Sequence, residues 1–501
     1  MPGRHASSVA SILSLGLLVA AALGCVSVPP RGGFSEIEQD VAERTGYELS
    51  WQQDAAEDAA IRARVTELLK DVLLPDTAVQ IALLQNPDLQ ASYESLGVAQ
   101  ADLIAAGLLQ NPVLVAAPRF GIGSLSGTNL EFDIAQNLLQ LLTLRSKKEI
   151  ASMQFHEARL RVSHRVLDVA SEVREAYYEY VAAQHLLSVL GTTQRAAAAS
   201  SEYAARLHAA GNISDLELAR ERALYEETRV ARDIAEANSA APRERLIRLL
   251  GLSDNTLLET PETLPGVPRE TLVVEGLEAH AIGNRFDLRA LELEIDAFER
   301  ALSAARLYRW IPFVEVGVSA ERETEGGWVV GPVLALEIPI FDQGQVQVAR
   351  FESMLRERKR AHEALLLDIR HDVRVQREAL RAARALSESY LDTVIPLRER
   401  IVQLTQQEFN FMLVGAFELL SAKRDEIAAY RDYVDALKDY WTSRAMLTST
   451  LGGPLPVTTT DEIDSEPATP QEMQAPMHEH MGHAMPDSKP DPPAAHQHHN
   501  H

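Results

Sequence analysis

The stretch TNLEFDIAQN, residues 128–137, alternates Leu130, Phe132 and Ile134 with Asn129, Glu131, Asp133 and Ala135. Successive side chains of a strand point to opposite faces, so the stretch reads as a strand with one apolar and one polar face. FVEVGVSAE, residues 313–321, repeats the pattern with Val314, Val316, Val318 and Ala320 against Glu315, Gly317, Ser319 and Glu321. In VLALEIPI, residues 333–340, Leu334, Leu336, Ile338 and Ile340 oppose Ala335, Glu337 and Pro339. Each segment has about the length of a tilted strand crossing a bilayer. Trp310 and Trp328 stand near strand ends, where aromatic side chains settle at a membrane interface. A water-facing antiparallel hairpin would carry the same alternation.

What surrounds these strands is helical. Residues 128–190 and 345–395 contain neither glycine nor proline, and apolar side chains recur every three or four positions through their helical parts. Helices of that length approach ~100 Å at ~1.5 Å per residue. Preceding each strand pair, residues 76–109 and 277–309 read as helices. The two halves match: DVASEVREAYYEYVAA (168–183) sits 200 residues before DIRHDVRVQREALRAA (368–383). NPDL at Asn86 is answered by NRFDL at Asn284, Gly211 by Gly415, and Leu250-Gly251 by Leu451-Gly452. Such spacing indicates a duplicated supersecondary unit, with the Pro-rich stretch Pro261 to Pro268 as linker.

Composition narrows the function. A formal net charge of −24 argues against nucleic-acid binding, which needs clustered Lys and Arg, and is compatible with cationic cargo. No phosphate-binding loop, H-E-x-x-H zinc motif or G-x-S-x-G nucleophile elbow occurs, so no enzyme is expected. Arg4 followed by an apolar run from Val9 to Gly24 suits a secretory signal and is too short to span a bilayer comfortably. AALGC, ending at the single cysteine Cys25, resembles a bacterial lipobox, with Ala22 where that motif usually has Leu. The resemblance implies a lipidated Cys25 as first residue of the mature chain, and Val26 after it points to the outer membrane.

Helix, strand pair, long helix, tip and return helix, performed twice behind a lipobox, resemble the TolC-type outer-membrane efflux proteins over roughly residues 76–452. QNPDLQASYESLGVAQADLIAAGLLQNPVL and the tips RLHAAGNISDLELARER and NFMLVGAFELLSAKRDE carry the likeness. It implies a mainly α fold with a small β part: four transmembrane strands per chain, a trimeric twelve-stranded barrel, and a long helical tunnel. The homotrimer would work with a periplasmic adaptor and an inner-membrane pump, as a passive conduit with no cofactor of its own. Gly211 and Gly415 would be tight turns at the tips, and Leu207, Leu216, Leu413 and Leu420 would pack around the docked adaptor or within the chain. Relatives often close the tunnel with acidic rings about six and nine residues past the second tip glycine, whereas Ser421 and Arg424 stand there in this chain, with Glu418 and Asp425 nearby.

The division expected is a signal at 1–24, a lipid-anchored segment at 25–75, repeats at 76–255 and 277–452 about a linker at 256–276, and a tail at 453–501. Glu131, Asp133, Glu315, Glu321 and Glu337 would line the pore, with Glu323 and Glu325 in an outer loop. The tail holds two clusters, Met477, His478, His480, Met481 and His483 with Met485, then His496, His498, His499 and His501. Interruptions at Glu479, Gln497 and Asn500 distinguish it from an engineered run. Imidazole with thioether favours copper or silver over zinc, bound transiently; a solvated tail without a role is the plain alternative. Two rival functions stand beside metal efflux: the same channel for drugs, and a lipid-anchored periplasmic metal-binding coiled-coil protein without a pore.

Overall fold

The computed structural model describes residues 27–120, 128–253, 256–311, 313–322 and 326–458. Cys25, Glu323, Glu325 and the whole His/Met cluster from Met477 to His501 lie outside them. Chain order runs α1 (Phe34–Thr45), α2 (Ala55–Leu68), α3 (Pro75–Gln85), α4 (Pro87–Ala106), β1 (Val113–Phe120), β2 (Thr128–Asn137), α5 (Leu138–Ala209) and α6 (Asp215–Leu250). After β3 (Thr271–Leu272) the series repeats as α7 (Leu277–Asn284), α8 (Phe286–Tyr308), β4 (Val314–Arg322), β5 (Trp328–Leu336), α9 (Gln345–Ser389), α10 (Ile395–Asn410) and α11 (Ala416–Leu451), then β6 (Val457–Thr458).

The 72-residue α5 is ~110 Å long. Its counterpart is interrupted by a π-helical turn at Tyr390–Val394, immediately before Pro396. Proline has no N–H for the next helical bond, and the widened turn accommodates that loss. The matched sequences bury matched positions: Val169, Val173 and Tyr180 in α5, Ile369, Val373 and Leu380 in α9. These are spaced as one helical face requires.

Each helix expected before a strand pair is two helices, a correction to the continuous 76–109 and 277–309. Asn86 leaves the helical region, with φ −60° and ψ 123°, and its side chain accepts from the Leu89 N–H to cap α4. Pro87 then fills the first position of α4, where no N–H is needed. Arg285 makes the same break between α7 and α8. The breaks meet the ends of the return helices. Asn86 donates to the Leu249 carbonyl at 2.7 Å, and a Cβ on Gly251 would lie 2.7 Å from the Gln85 carbonyl oxygen. At the second junction Arg44 donates to both Asn284 O and Gly452 O, at 2.7 and 2.8 Å, while its guanidinium lies 3.8 Å over the Phe286 ring. Thus the paired motifs NPDL/NRFDL and Leu-Gly touch in space.

Residues 27–74 are folded onto the first repeat. Phe34 packs edge-on against Tyr93 at 5.0 Å, and Trp51 donates its indole N–H to Glu94 at 2.9 Å. One large core joins this segment to α3, α4, the middle of α5 and the end of α6, and a second joins α7, α8, α9 and α11. His185 is buried on α5 with Nδ1 unpartnered.

Burial pushes the His185 imidazole down to about 4. An unfolded histidine titrates near 6.5, so below that pH the unfolded chain takes up a proton that the folded chain excludes. Stability should therefore fall by up to about 3 kcal/mol per chain between roughly pH 6.5 and 4. His185→Gln should flatten that decline. Denaturant midpoints of both proteins at pH 7 and pH 4.5 test this, and equal losses for the two would refute it.

Candidate functional site

Four strands form one antiparallel sheet in the order β1-β2-β4-β5. Its register sorts the side chains, because residues directly opposite share a face. Glu131 faces Ala117 and Glu321, Asp133 faces Val115 and Ser319, and Asn137 faces Glu315. Glu337 continues the pairing, donating its N–H to the Phe313 carbonyl at 3.2 Å. All five acidic residues singled out from sequence therefore project from one face. They form two bands: Glu131, Asp133 and Glu321 towards the β1–β2 and β4–β5 turns, Glu315 and Glu337 at the helical end.

The opposite face carries Leu114, Phe132, Ile134, Val316, Val318, Val330, Leu334 and Leu336, all exposed. Phe132 stacks on Trp328 at 6.3 Å on that face. Trp328 opens β5 at the turn end, whereas Trp310 sits near the base of β4, so the two indoles mark opposite ends of the sheet. β1 and β5 each have one strand neighbour, leaving two open edges. Gly317 allows the central pair to close, since a Cβ there would lie 2.5 Å from the Ile134 carbonyl oxygen.

One strand falls elsewhere than expected. β5 ends at Leu336 instead of spanning 333–340, and Ile338 and Ile340 lie past it, with the Ile340 N–H bonded to the Ile338 carbonyl. Pro339 has no N–H for a ladder, and alternation continued beyond the last strand hydrogen bonds. The residues missed from sequence are Arg119 and Asn129. Arg119 forms an ion pair with Glu131, and the Asn129 amide donates to Glu321 at 2.5 Å.

At the far end of the long helices stand two tips with the same backbone. In the first, Gly211 is left-handed (φ 77°), with Gly211 N–H bonded to His208 O and Asn212 N–H to Leu207 O. Ser214 and Glu217 then form a reciprocal capping box at the start of α6. In the second, Met412 is the left-handed residue (φ 61°), with Met412 N–H bonded to Phe409 O and Leu413 N–H to Glu408 O. Gly415, expected as that turn's left-handed glycine, has φ −86° and caps α11. It corresponds to Ser214, and half the box survives as Gly415 N–H to Glu418 Oε2, 3.1 Å. The true offset between tips is 201 residues, not the 204 that aligning the glycines implies.

A non-glycine residue in the left-handed region costs about 1 kcal/mol. Met412→Gly should therefore stabilise the second tip by about that much, and Gly211→Ala should destabilise the first similarly. Hydrogen-exchange protection of the last turns of α10 and α5 reads the two changes separately; shifts of like sign would contradict the assignment.

The surroundings of the two turns differ. Phe411, Met412 and Leu413 are 77, 93 and 74% exposed and Phe417 is 50% exposed, whereas only Leu216 of the first tip's leucines is well exposed. Leu207 and Leu420 are half-buried. Arg220 of α6 lies 4.6 Å over the Phe417 ring. Where acidic rings were looked for, Arg424 pairs with Glu227 of α6, and the neighbouring Asp425 pairs with Arg398 at 2.9 Å.

Among the described residues no helix is long and apolar enough to cross a membrane, and no three His, Cys, Asp or Glu side chains converge as metal ligands. A single two-faced four-stranded sheet on paired helical hairpins, to which each of two repeats gives two strands, is the fold of the TolC-type outer-membrane efflux channels. In sequence the chain is 24% identical over 387 residues to the cobalt-zinc-cadmium resistance protein CzcC of Cupriavidus metallidurans, covering 75% of this chain and 89% of that one. In structure it matches the outer-membrane channel OprN with a TM-score of 0.66 at 16% identity, covering 86% of this chain and 98% of that one. CusC, solved in studies of folding and transmembrane channel formation, matches with a TM-score of 0.62 at 17% identity, covering 76% and 92%. No protein-family model matches the chain.

Proposed function

We propose that this chain is the outer-membrane channel subunit of a tripartite efflux system that exports heavy-metal cations. The observation that carries the reading is the sheet: an exposed apolar face, an acidic polar face and two unpaired edges. In lipid every strand edge must be paired, and four strands cannot enclose a useful lumen. Three copies, joining β1 of one to β5 of the next, give twelve strands with the apolar face to lipid and the acidic face to water. Glu131, Asp133, Glu315, Glu321 and Glu337 then recur as rings that favour cations. The non-pore alternative leaves that apolar face in water, where a patch of such extent is unfavourable.

In the assembled system Cys25 carries a lipid at the outer membrane, and the tips receive a periplasmic adaptor that links the channel to an inner-membrane pump. The channel needs no cofactor. Heavy-metal cargo is supported by the likeness to CzcC, whose name specifies cobalt, zinc and cadmium. The His/Met composition of the tail favours copper or silver instead. β6 pairs with β3 just past the end of α11, whose last turns lie against the middle of α5, where Ser171 donates to the Ala445 carbonyl. We assign to the tail transient metal binding.

The test is growth of a strain lacking this chain on cobalt, zinc, cadmium, copper and silver salts and on a panel of dyes and antibiotics. It is complemented by the full chain or by one ending at Pro470. Metal sensitivity rescued fully only by the intact chain supports the reading. Drug sensitivity rescued equally by both chains, with metals indifferent, replaces it with a general channel.

A further inference from the structure

Among the described residues of the four large strands, two are basic: Arg119 and Arg322. Arg322 stands opposite Leu130 and Trp328, so it belongs to the apolar face at its turn end. Arg119 stands opposite Asn129, which places it on the acidic face, in the row next to Glu131 and Glu321. There Glu131 and Glu321 are direct cross-strand neighbours, an arrangement that repels when both are charged. Two side chains from the next row relieve it: the Arg119 guanidinium pairs with Glu131, and the Asn129 amide donates to Glu321.

We infer that Arg119 sets the charge selectivity of the outer mouth, as a tethered cation that occupies Glu131 and leaves Glu321 and Asp133 as the carboxylates open to permeating ions. This rests on the channel reading. Closure of the barrel would set β1 beside β5 of the next copy. On that face β5 offers Val329, Gly331, Val333 and Ala335, none of which can compete for the guanidinium. No β5 side chain draws the pair apart, and threefold symmetry makes three such neutralised sites at one level. The inner band, Glu315 and Glu337, has no basic side chain on its face among the described strand residues and is unaffected. The pairing thereby cuts the mouth from three open carboxylates per chain to two, level with the two of the helical end.

The experiment is reversal potential across planar bilayers holding the full-length trimer in a KCl gradient. Arg119→Gln should raise the cation-over-anion permeability ratio by about twofold or more, because three carboxylates, one per copy, are released at one level of the bore. Arg119→Lys should keep the parent ratio, and so should Arg119→Gln combined with Glu131→Gln, which removes both partners. A parent channel that conducts while Arg119→Gln leaves its ratio unchanged overturns the inference. So does a double variant that stays as cation-selective as Arg119→Gln alone. A parent trimer that never conducts overturns the channel reading itself.

Discussion

Asn86→Ala is expected to destabilise the folded chain by about 2–4 kcal/mol, while Asn284→Ala, one residue before the matching break at Arg285 in the second repeat, costs well under half of that. Asn86 is buried and uses both ends of its amide: Oδ1 accepts the Leu89 N–H, and Nδ2 donates to the Leu249 carbonyl. Its loss removes a helix cap, worth about 1 kcal/mol. It also strands the buried Leu249 carbonyl at about 1–3 kcal/mol. Asn284 only donates back to His280 O within its own helix, in an exposed position. The second junction is held instead by Arg44, so Arg44→Ala should be the larger perturbation there. Denaturant midpoints of the three variants, followed by helical circular dichroism in detergent, decide the matter. Equal effects of the two asparagine substitutions would remove the distinction between the junctions.

That asymmetry marks the limit of what the sequence displays. The duplication was legible because buried positions such as Val169/Ile369 and Val173/Val373 stay apolar in both copies. The two faces of the sheet were legible for the same reason, since an alternation either holds or fails residue by residue. The breaks at Asn86 and Arg285 were not, because helical periodicity resumes directly on the other side of each. Only Pro87 hinted at the first break, and nothing equivalent stands after Arg285. The folding of residues 27–74 onto α4 and α5 depends on long-range contacts such as Phe34 with Tyr93, which local pattern does not encode.

In the candidate site, residue type and register played different parts. Composition and alternation together selected Glu131, Asp133, Glu315, Glu321 and Glu337, and the register brings them to one face. Arg119 escaped because β1, with the apolar run Val113 to Ala117, shows no clean alternation to assign it a side. At the tips glycine misled: Gly415 suggested a left-handed turn that the chain makes at Met412 instead. The cue that could have corrected it was the parallel between Ser214…Glu217 and Gly415…Glu418, both placing a glutamate three residues into a helix. The exposed run Phe411-Met412-Leu413 was equally readable as a tip feature, had the turn been placed there.

That run supplies the second large effect. Phe411→Asp combined with Leu413→Asp should reduce metal tolerance to the level of a strain lacking the chain, while the protein still forms trimers that conduct in bilayers. Burying a large apolar side chain is worth about 1.5–3 kcal/mol, and four of them stand exposed around one turn. An isolated channel gains nothing from holding them in periplasmic water, whereas an adaptor covering them gains most of the binding energy that a compact interface needs. Charge placed at the centre of such a patch must be desolvated on docking. Leu216→Asp at the first tip should have a smaller effect, because that turn is otherwise made of Gly211, Asn212, Ser214 and Asp215 with a half-buried Ile213. Crosslinking from position 412 to the adaptor, lost in the double variant and retained in Leu216→Asp, separates failed docking from failed folding. Full metal tolerance in the double variant would mean that the adaptor does not use this tip, and the exposure of Phe411, Met412 and Leu413 would then need another partner.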